Sequence, residues 1–296
     1  MSDLECQVSA YLERCRGIRR LSSHTIDAYR IDLAQFTKVL SEEDGLTPEA
    51  IRKGLSRMAT MPSLAPSTVK RKIAAVRAFL RSTDRTLAAE TFAEWSLNIR
   101  AARRLPRALP RPTLSVLLRD AKKSGGGKFK GTTHLCLSIM AAAGLRVSEL
   151  CALRLCDVQP ESGEIKVFGK GARERVAVIA NKKVRESIAR HVRARRQQAD
   201  LEAALFVNRC GRTLTPQCLR LRLHALAKRA GLGRRVTPHM LRHTAATLLL
   251  EGGVDIRFVQ RLLGHASIAT TQIYTHVTDT ALRSALERAD VMRTLV

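Results

Sequence analysis

Apolar residues spaced three and four apart recur along most of this chain, and that spacing commits it to a largely helical fold. In the first hundred residues Ile26, Tyr29, Leu33, Phe36 and Leu40 make one apolar stripe. Ser22 or Ser23 stands where a helix needs a capping hydroxyl. Thr47-Pro48-Glu49 reads as a second helix start, with a capping side chain and proline at the first position. Ser67 is expected to cap a third helix, with Val69, Ile73, Val76 and Leu80 facing inward. Its other faces carry Lys70, Arg71, Lys72, Arg77 and Arg81, with no carboxylate between them. Such a run is either a solvated face or a phosphate-contacting one, and these five are read as DNA contacts.

Prolines divide the chain. Residues 98–112 are basic and contain Pro106, Pro110 and Pro112, which interrupt helix. The expected organisation is a helical DNA-binding domain over residues 1–98, a linker over 99–111 and a second domain over 112–296. A basic linker of this kind can lie along a phosphate backbone while two domains clamp a duplex. A helix is expected from Pro112-Thr113 to just before Lys123. Ser124-Gly125-Gly126-Gly127-Lys128 lacks the spacing of a nucleotide phosphate loop and reads as a flexible connection. Residues 132–143 form an apolar helix stopped by Gly144. Glu164–Phe168 and Arg175–Ile179 alternate as short strands, with Gly169-Lys170-Gly171-Ala172 between them, a hairpin. The pattern is helical again from residue 183. The fold class expected is mainly α with a small antiparallel β-sheet, in two mostly helical domains.

Charge narrows the partner. The 296 residues carry a formal net charge of +26. Residues 1–105 hold 18 Lys and Arg against 12 Asp and Glu, and residues 106–296 hold 34 against 14. A polyanion is the matching partner, and the second domain should make most of the electrostatic contact. The seven cysteines are odd in number and form no C-x-x-C, which argues against a disulfide framework or a zinc site. No leader-like segment opens the chain and no run of eighteen apolar residues occurs, so the expected location is the cytoplasm.

A chemical constellation lies in the second domain. Breaking a DNA strand without water needs rigid cations around the phosphate oxygens and a side-chain nucleophile. Arginine suits the first task because its planar fork donates two hydrogen bonds to phosphate. Arg146 and Arg242 are the candidate clamps, and His239 and His265 can donate to the same oxygens. Tyr274, the only tyrosine after Tyr29, is the candidate nucleophile. A phenol is mostly protonated at neutral pH, so nearby cations and a histidine acceptor would favour its phenolate. The departing 5′-oxygen needs a proton, and Lys170 at the hairpin tip is placed to give one. Singly, each residue has a plain structural reading: a core or capping histidine, a solvated arginine, a packed tyrosine. The order and spacing carry the weight. No acidic triad suggests metal ions, since Glu251 and Asp255 read as a surface residue and a helix cap, and no nucleotide loop is visible.

Five blocks resemble the signature of tyrosine recombinases, also called the phage-integrase family. They are Gly144-Leu145-Arg146-Val147-Ser148-Glu149-Leu150, Gly169-Lys170-Gly171, His239-x-x-Arg242-His243, Leu263-Gly264-His265 and Thr271-Gln272-Ile273-Tyr274-Thr275-His276. The wording is closest to the Xer branch. Leu21-Ser22-x-His24-Thr25-x-x-Ala28-Tyr29-x-x-Asp32-Leu33-x-x-Phe36 resembles the start of the family's SAM-like core-binding domain. The resemblance implies a site-specific recombinase that forms a 3′-phosphotyrosine link and passes through a Holliday junction, without metal, ATP or other cofactor. It implies catalytic roles for Arg146, Lys170, His239, Arg242, His265 and the nucleophile Tyr274, with Glu149 supporting the first arginine. It implies double-stranded recombination sites as partners, and a homotetramer or a heterotetramer with a paralogue. The biological outcome would be integration, excision or dimer resolution. A C-terminal tail carrying Val277, Leu282, Leu286 and Met292 would dock into a neighbouring subunit, the plainer reading being a helix packed on its own domain. A type IB topoisomerase shares the phosphotyrosine chemistry but needs no second DNA site.

Overall fold

The computed structural model describes residues 3–40, 46–62, 64–93, 95, 108–123, 131–169, 174–264 and 286–287. The chain divides into two compact units, Met1–Arg104 and Leu105–Val296.

In the first unit five helices are described: α1 (Asp3–Gly17), α2 (Ser23–Leu40), α3 (Pro48–Thr60), α4 (Pro66–Thr83) and α5 (Arg85–Phe92). Their apolar stripes meet in one core containing Tyr11, Leu33, Phe36, Ile51, Leu55 and Phe79. Tyr11 meets Phe79 edge-on, with ring centroids 5.5 Å apart, the arrangement that ring quadrupoles favour. Thr47 caps α3 by accepting the Ala50 N–H at 3.2 Å. The α4 expectation needs correction. That helix starts at Pro66, and its N-cap is Ala65 with no side-chain bond. Ser67 lies inside the first turn, because a proline lacking N–H suits the first helical position.

A second correction concerns the basic face of α4. Lys72 is 3% exposed and points inward, where its Nζ donates to Asp32 Oδ1 at 2.9 Å. Arg71 pairs with the same buried carboxylate from the rim. A buried carboxylate needs such partners, since an unpaired one costs several kcal/mol. The Arg77 guanidinium lies 4.4 Å from the Phe92 ring centroid. Lys70, Arg77 and Arg81 line one open surface depression together with Arg19.

The second unit contains α6 (Arg111–Lys123), α7 (Thr132–Ala143), α8 (Val147–Ala152), a 3-10 turn (Leu155–Asp157), β1 (Val158–Gln159), β2 (Glu164–Phe168) and β3 (Glu174–Val178). Then follow α9 (Lys182–Arg196), α10 (Pro216–Arg229), α11 (Pro238–Glu251) and α12 (Ile256–Leu263). The sheet is antiparallel in the order β1-β2-β3, with Val158 opposite Ile165, Ile165 opposite Ala177 and Phe168 opposite Glu174. The two expected strands pair antiparallel, the second over Glu174–Val178, one residue earlier than expected, and β1 is an addition. Two residues are too short to show a period. Helix α7 is buried from Leu135 to its end at Ala143 and packs on α11, α6 and α9. Leu286 is buried in this unit's own core. That contact fits the plainer reading of the tail at this residue.

Gly144 ends α7 in the left-handed conformation, at φ 63°. A Cβ there would lie 2.3 Å from Leu263 Cδ2. Gly144→Ala is therefore expected to cost about 1–2 kcal/mol for the backbone and about 1–3 kcal/mol more from overpacking. Urea unfolding checks this, and a loss below about 0.5 kcal/mol would mean that Leu263 yields without strain.

Candidate active site

The site is assembled on the last turn of α12. The final carbonyls of any helix lack intrahelical partners and form the negative end of its dipole. Here three consecutive carbonyls each receive a different arginine. Arg175 of β3 donates from Nε to Leu262 O at 2.8 Å. Arg242 of α11 donates from Nη2 to Leu263 O at 2.5 Å. Arg146, just before α8, donates from Nη2 to Gly264 O at 3.1 Å. Gly264 sits at φ 62°, the left-handed cap that turns the chain away after Leu263.

One carboxylate sits among these cations. Glu149 occupies the third position of α8 and folds back so that Oε2 accepts the Arg146 backbone N–H at 2.8 Å, one half of a capping box. Its Oε1 accepts Arg146 Nη1 at 2.6 Å and Arg175 Nη1 at 3.0 Å. Arg175 Nη2 reaches Oε2 at 2.7 Å, and Arg242 Nη1 stands 3.8 Å from the same oxygen. Arg242 Nη1 also donates to Gly144 O at 2.8 Å, so the left-handed glycine at the end of α7 presents an acceptor to the site.

Burial and charge act together here. Burial pushes the Glu149 carboxyl up, but hydrogen bonds from Arg175 and Arg146 outweigh it and hold the group below its ordinary range. It is a carboxylate at neutral pH. Arg242 is brought down to about 10 by burial first and then by Arg146 and Arg175, with Glu149 opposing. It stays a cation at neutral pH. Three arginines and one carboxylate leave the cluster with a surplus of positive charge. Arg146, with its side chain 40% exposed, is the member most open to solvent, whereas Arg242 is 4% exposed.

The two histidines of the α11 block pair with each other. His239 is exposed in the first turn, and its Nε2 lies 3.0 Å from His243 Nε2. A single proton bridges two such nitrogens, because two N–H groups cannot point at each other. Burial, then His239 and Arg242, lower the His243 pKa, so His243 is neutral at neutral pH.

The structure thus brings Arg146, Glu149 and Arg242 together and puts His239 on the same helix as Arg242. Lys170, His265 and Tyr274 lie outside the described residues. Lys70, Arg71, Lys72, Arg77 and Arg81 belong to the first unit. Glu251 pairs with Arg111 at the surface at 3.0 Å, and Asp255 caps α12 through the Arg257 N–H at 2.7 Å. The sequence reading missed Arg175. Its signal was there: Arg175 shares a face of β3 with Ala177, which is fully buried. A cation in register with inward apolar positions implies a buried partner.

Residues 114–281 match the phage integrase family, and residues 8–85 match the phage integrase N-terminal SAM-like domain. The chain is 34% identical over 292 residues to tyrosine recombinase XerC of Azotobacter vinelandii, covering 97% of this chain and 96% of the relative. It is 35% identical over 274 residues to tyrosine recombinase XerD of Halalkalibacterium halodurans, covering 90% and 91%. Among solved structures, the XerH site-specific recombinase bound to palindromic difH substrate, a post-cleavage complex, matches with a TM-score of 0.67. Its identity is 26%, and the match covers 94% of this chain and 83% of that one. The chain belongs to the phage integrase family. It is a tyrosine recombinase, a DNA-binding enzyme that cuts DNA strands at specific sites and rejoins them.

Proposed function

We propose that Tyr274 is the nucleophile and that Arg146 and Arg242 hold the scissile phosphate, with His239 and His265 donating to its oxygens. The observation that carries this reading is the meeting of Arg146 and Arg242 around Glu149, at the helix end that leads into His265 and Tyr274. The phenolate oxygen of Tyr274 attacks phosphorus, and the bond to the 5′-oxygen breaks. The 5′-oxygen takes its proton from Lys170. The product is a 3′-phosphotyrosine ester, which keeps the bond energy for rejoining, so ATP has no step to supply. The 5′-hydroxyl of a partner strand then attacks the ester, and a second round resolves the Holliday junction. Glu149 aims the arginines without touching the phosphate.

This chemistry acts on two duplex sites, so the working assembly is a tetramer on DNA, either of this chain alone or with a paralogue. Lys70, Arg77 and Arg81 of the first unit, with Arg71 at the rim, extend the phosphate contact. The place of action is the cytoplasm, where replicons lie. The product is integration, excision or dimer resolution.

The direct test is a nicked duplex carrying the recombination site, on which the covalent intermediate accumulates. Peptide mapping should find Tyr274 on the 3′-phosphate, and attachment at another residue would overturn the assignment. Duplex affinity should fall by about three orders of magnitude or more between about 50 and 200 mM salt if six or more phosphates are contacted. A flat salt titration would refute a large phosphate footprint.

A further inference from the structure

Arg175 has no part in the roles assigned so far, yet it is the most fully engaged arginine of the site. Its side chain is 12% exposed. All three guanidinium nitrogens donate: Nη1 and Nη2 to the two oxygens of Glu149, and Nε to Leu262 O. A fork committed in this way is turned to the protein, not to a phosphate.

Its place in the sheet gives that grip a consequence. Strand β3 is the edge of the sheet, and Arg175 is its second residue, opposite Val167. The last described pair before the hairpin connection is Phe168 with Glu174. Lys170 belongs to the connection that follows, five residues before Arg175. Val167, opposite Arg175, is buried in the core, whereas Phe168 and Val176 on the other face are 50% and 42% exposed. On β3, Arg175 supplies the ties from this end to Glu149 and to α12.

We infer that Arg175 is a positioning residue, which latches the β2–β3 hairpin to Glu149 and to the last turn of α12 and so sets the reach of Lys170 to the departing 5′-oxygen. The inference rests on the reading of Lys170 as the general acid. In that step the phenolate oxygen bonds to phosphorus, the P–O5′ bond breaks, and its electron pair takes the Lys170 proton. Where sulfur replaces the bridging 5′-oxygen, the leaving thiolate is stable near neutral pH and needs no proton. A defect that acts through Lys170 is then relieved, and a defect in holding phosphate is not.

The test uses the full chain and single-turnover cleavage of a nicked duplex with either 5′-oxygen or 5′-sulfur at the scissile bond. Arg175→Lys keeps the charge beside Glu149 but loses the fork, and Arg175→Gln serves as a second variant should the first fail to fold. Thermal unfolding and duplex binding are measured alongside. The folded variant should bind duplex within about 3-fold of the parent and cleave the oxygen substrate at least roughly 100-fold more slowly, the lower range for a lost general acid. On the sulfur substrate the gap to the parent should shrink at least about 10-fold. Lys170→Ala should recover in the same way. If Lys170→Ala recovers and the Arg175 variant does not, Arg175 acts through the arginine cluster alone and the inference is overturned. Parent-like cleavage of the oxygen substrate overturns it as well. If Lys170→Ala itself fails to recover, the general-acid reading falls and this inference falls with it.

Discussion

Tyr274→Phe should leave duplex binding unchanged and abolish the covalent protein–DNA adduct. The substitution removes one oxygen and keeps the ring, a change nearly neutral in side-chain volume. That oxygen is the group proposed to bond to phosphorus, and removing the nucleophile of a covalent mechanism costs at least about four orders of magnitude. The adduct is read as a band on a denaturing gel after incubation with the nicked duplex. Binding of the same duplex is read at matched salt. If the adduct survives in the variant, another residue attacks. If neither protein forms one while both bind, this chain binds recombination sites without cutting them.

Glu149→Gln should both destabilise the fold and slow cleavage. The carboxylate is 6% exposed and faces Arg146, Arg175 and Arg242. The amide has nearly the same shape but no charge, and its nitrogen turns a donor toward guanidinium donors. Breaking a buried pair from one side costs about 3–5 kcal/mol, so the variant should lose roughly that much stability in urea at neutral pH. Cleavage should fall with it, because Arg146 and Arg242 lose the group that aims them. The pH dependence has a defined sign. The Glu149 carboxyl lies lower in the fold than in the unfolded chain. Its contribution is therefore complete above the unfolded-state pKa and is lost as pH falls through the folded one. The stability gap between parent and variant should be constant around neutrality and close in acid, below the ordinary carboxylate range. A gap that persists unchanged into acid would mean that Glu149 does not carry the charge described.

Most elements were legible because they depend on local rules. The stripe from Ile26 to Leu40, the Thr47-Pro48 start and the Gly144 stop each need only neighbours within a turn or two. Position 67 misled because serine and proline compete for the first turn, and the proline one residue earlier had already begun the helix. Strand β1 was invisible because two residues carry no alternation. Lys72 reads in the sequence, with its neighbours, as a DNA contact. Its burial depends on Asp32, forty residues away, which a cation count on one helix does not register.

What the amino-acid order determined was the set of helices, the hairpin and the residue types that phosphate chemistry requires, since each follows from short-range geometry or from side-chain chemistry. Tertiary structure alone decided which groups face each other. It placed Arg175, Arg242 and Arg146 on three successive carbonyls of α12 and gathered all three about Glu149. Those partners come from elements 21 to 118 residues apart in the chain. Electrostatic pairing of buried groups acts through space, so it was settled only when α7, α8, α11, α12 and the hairpin packed together.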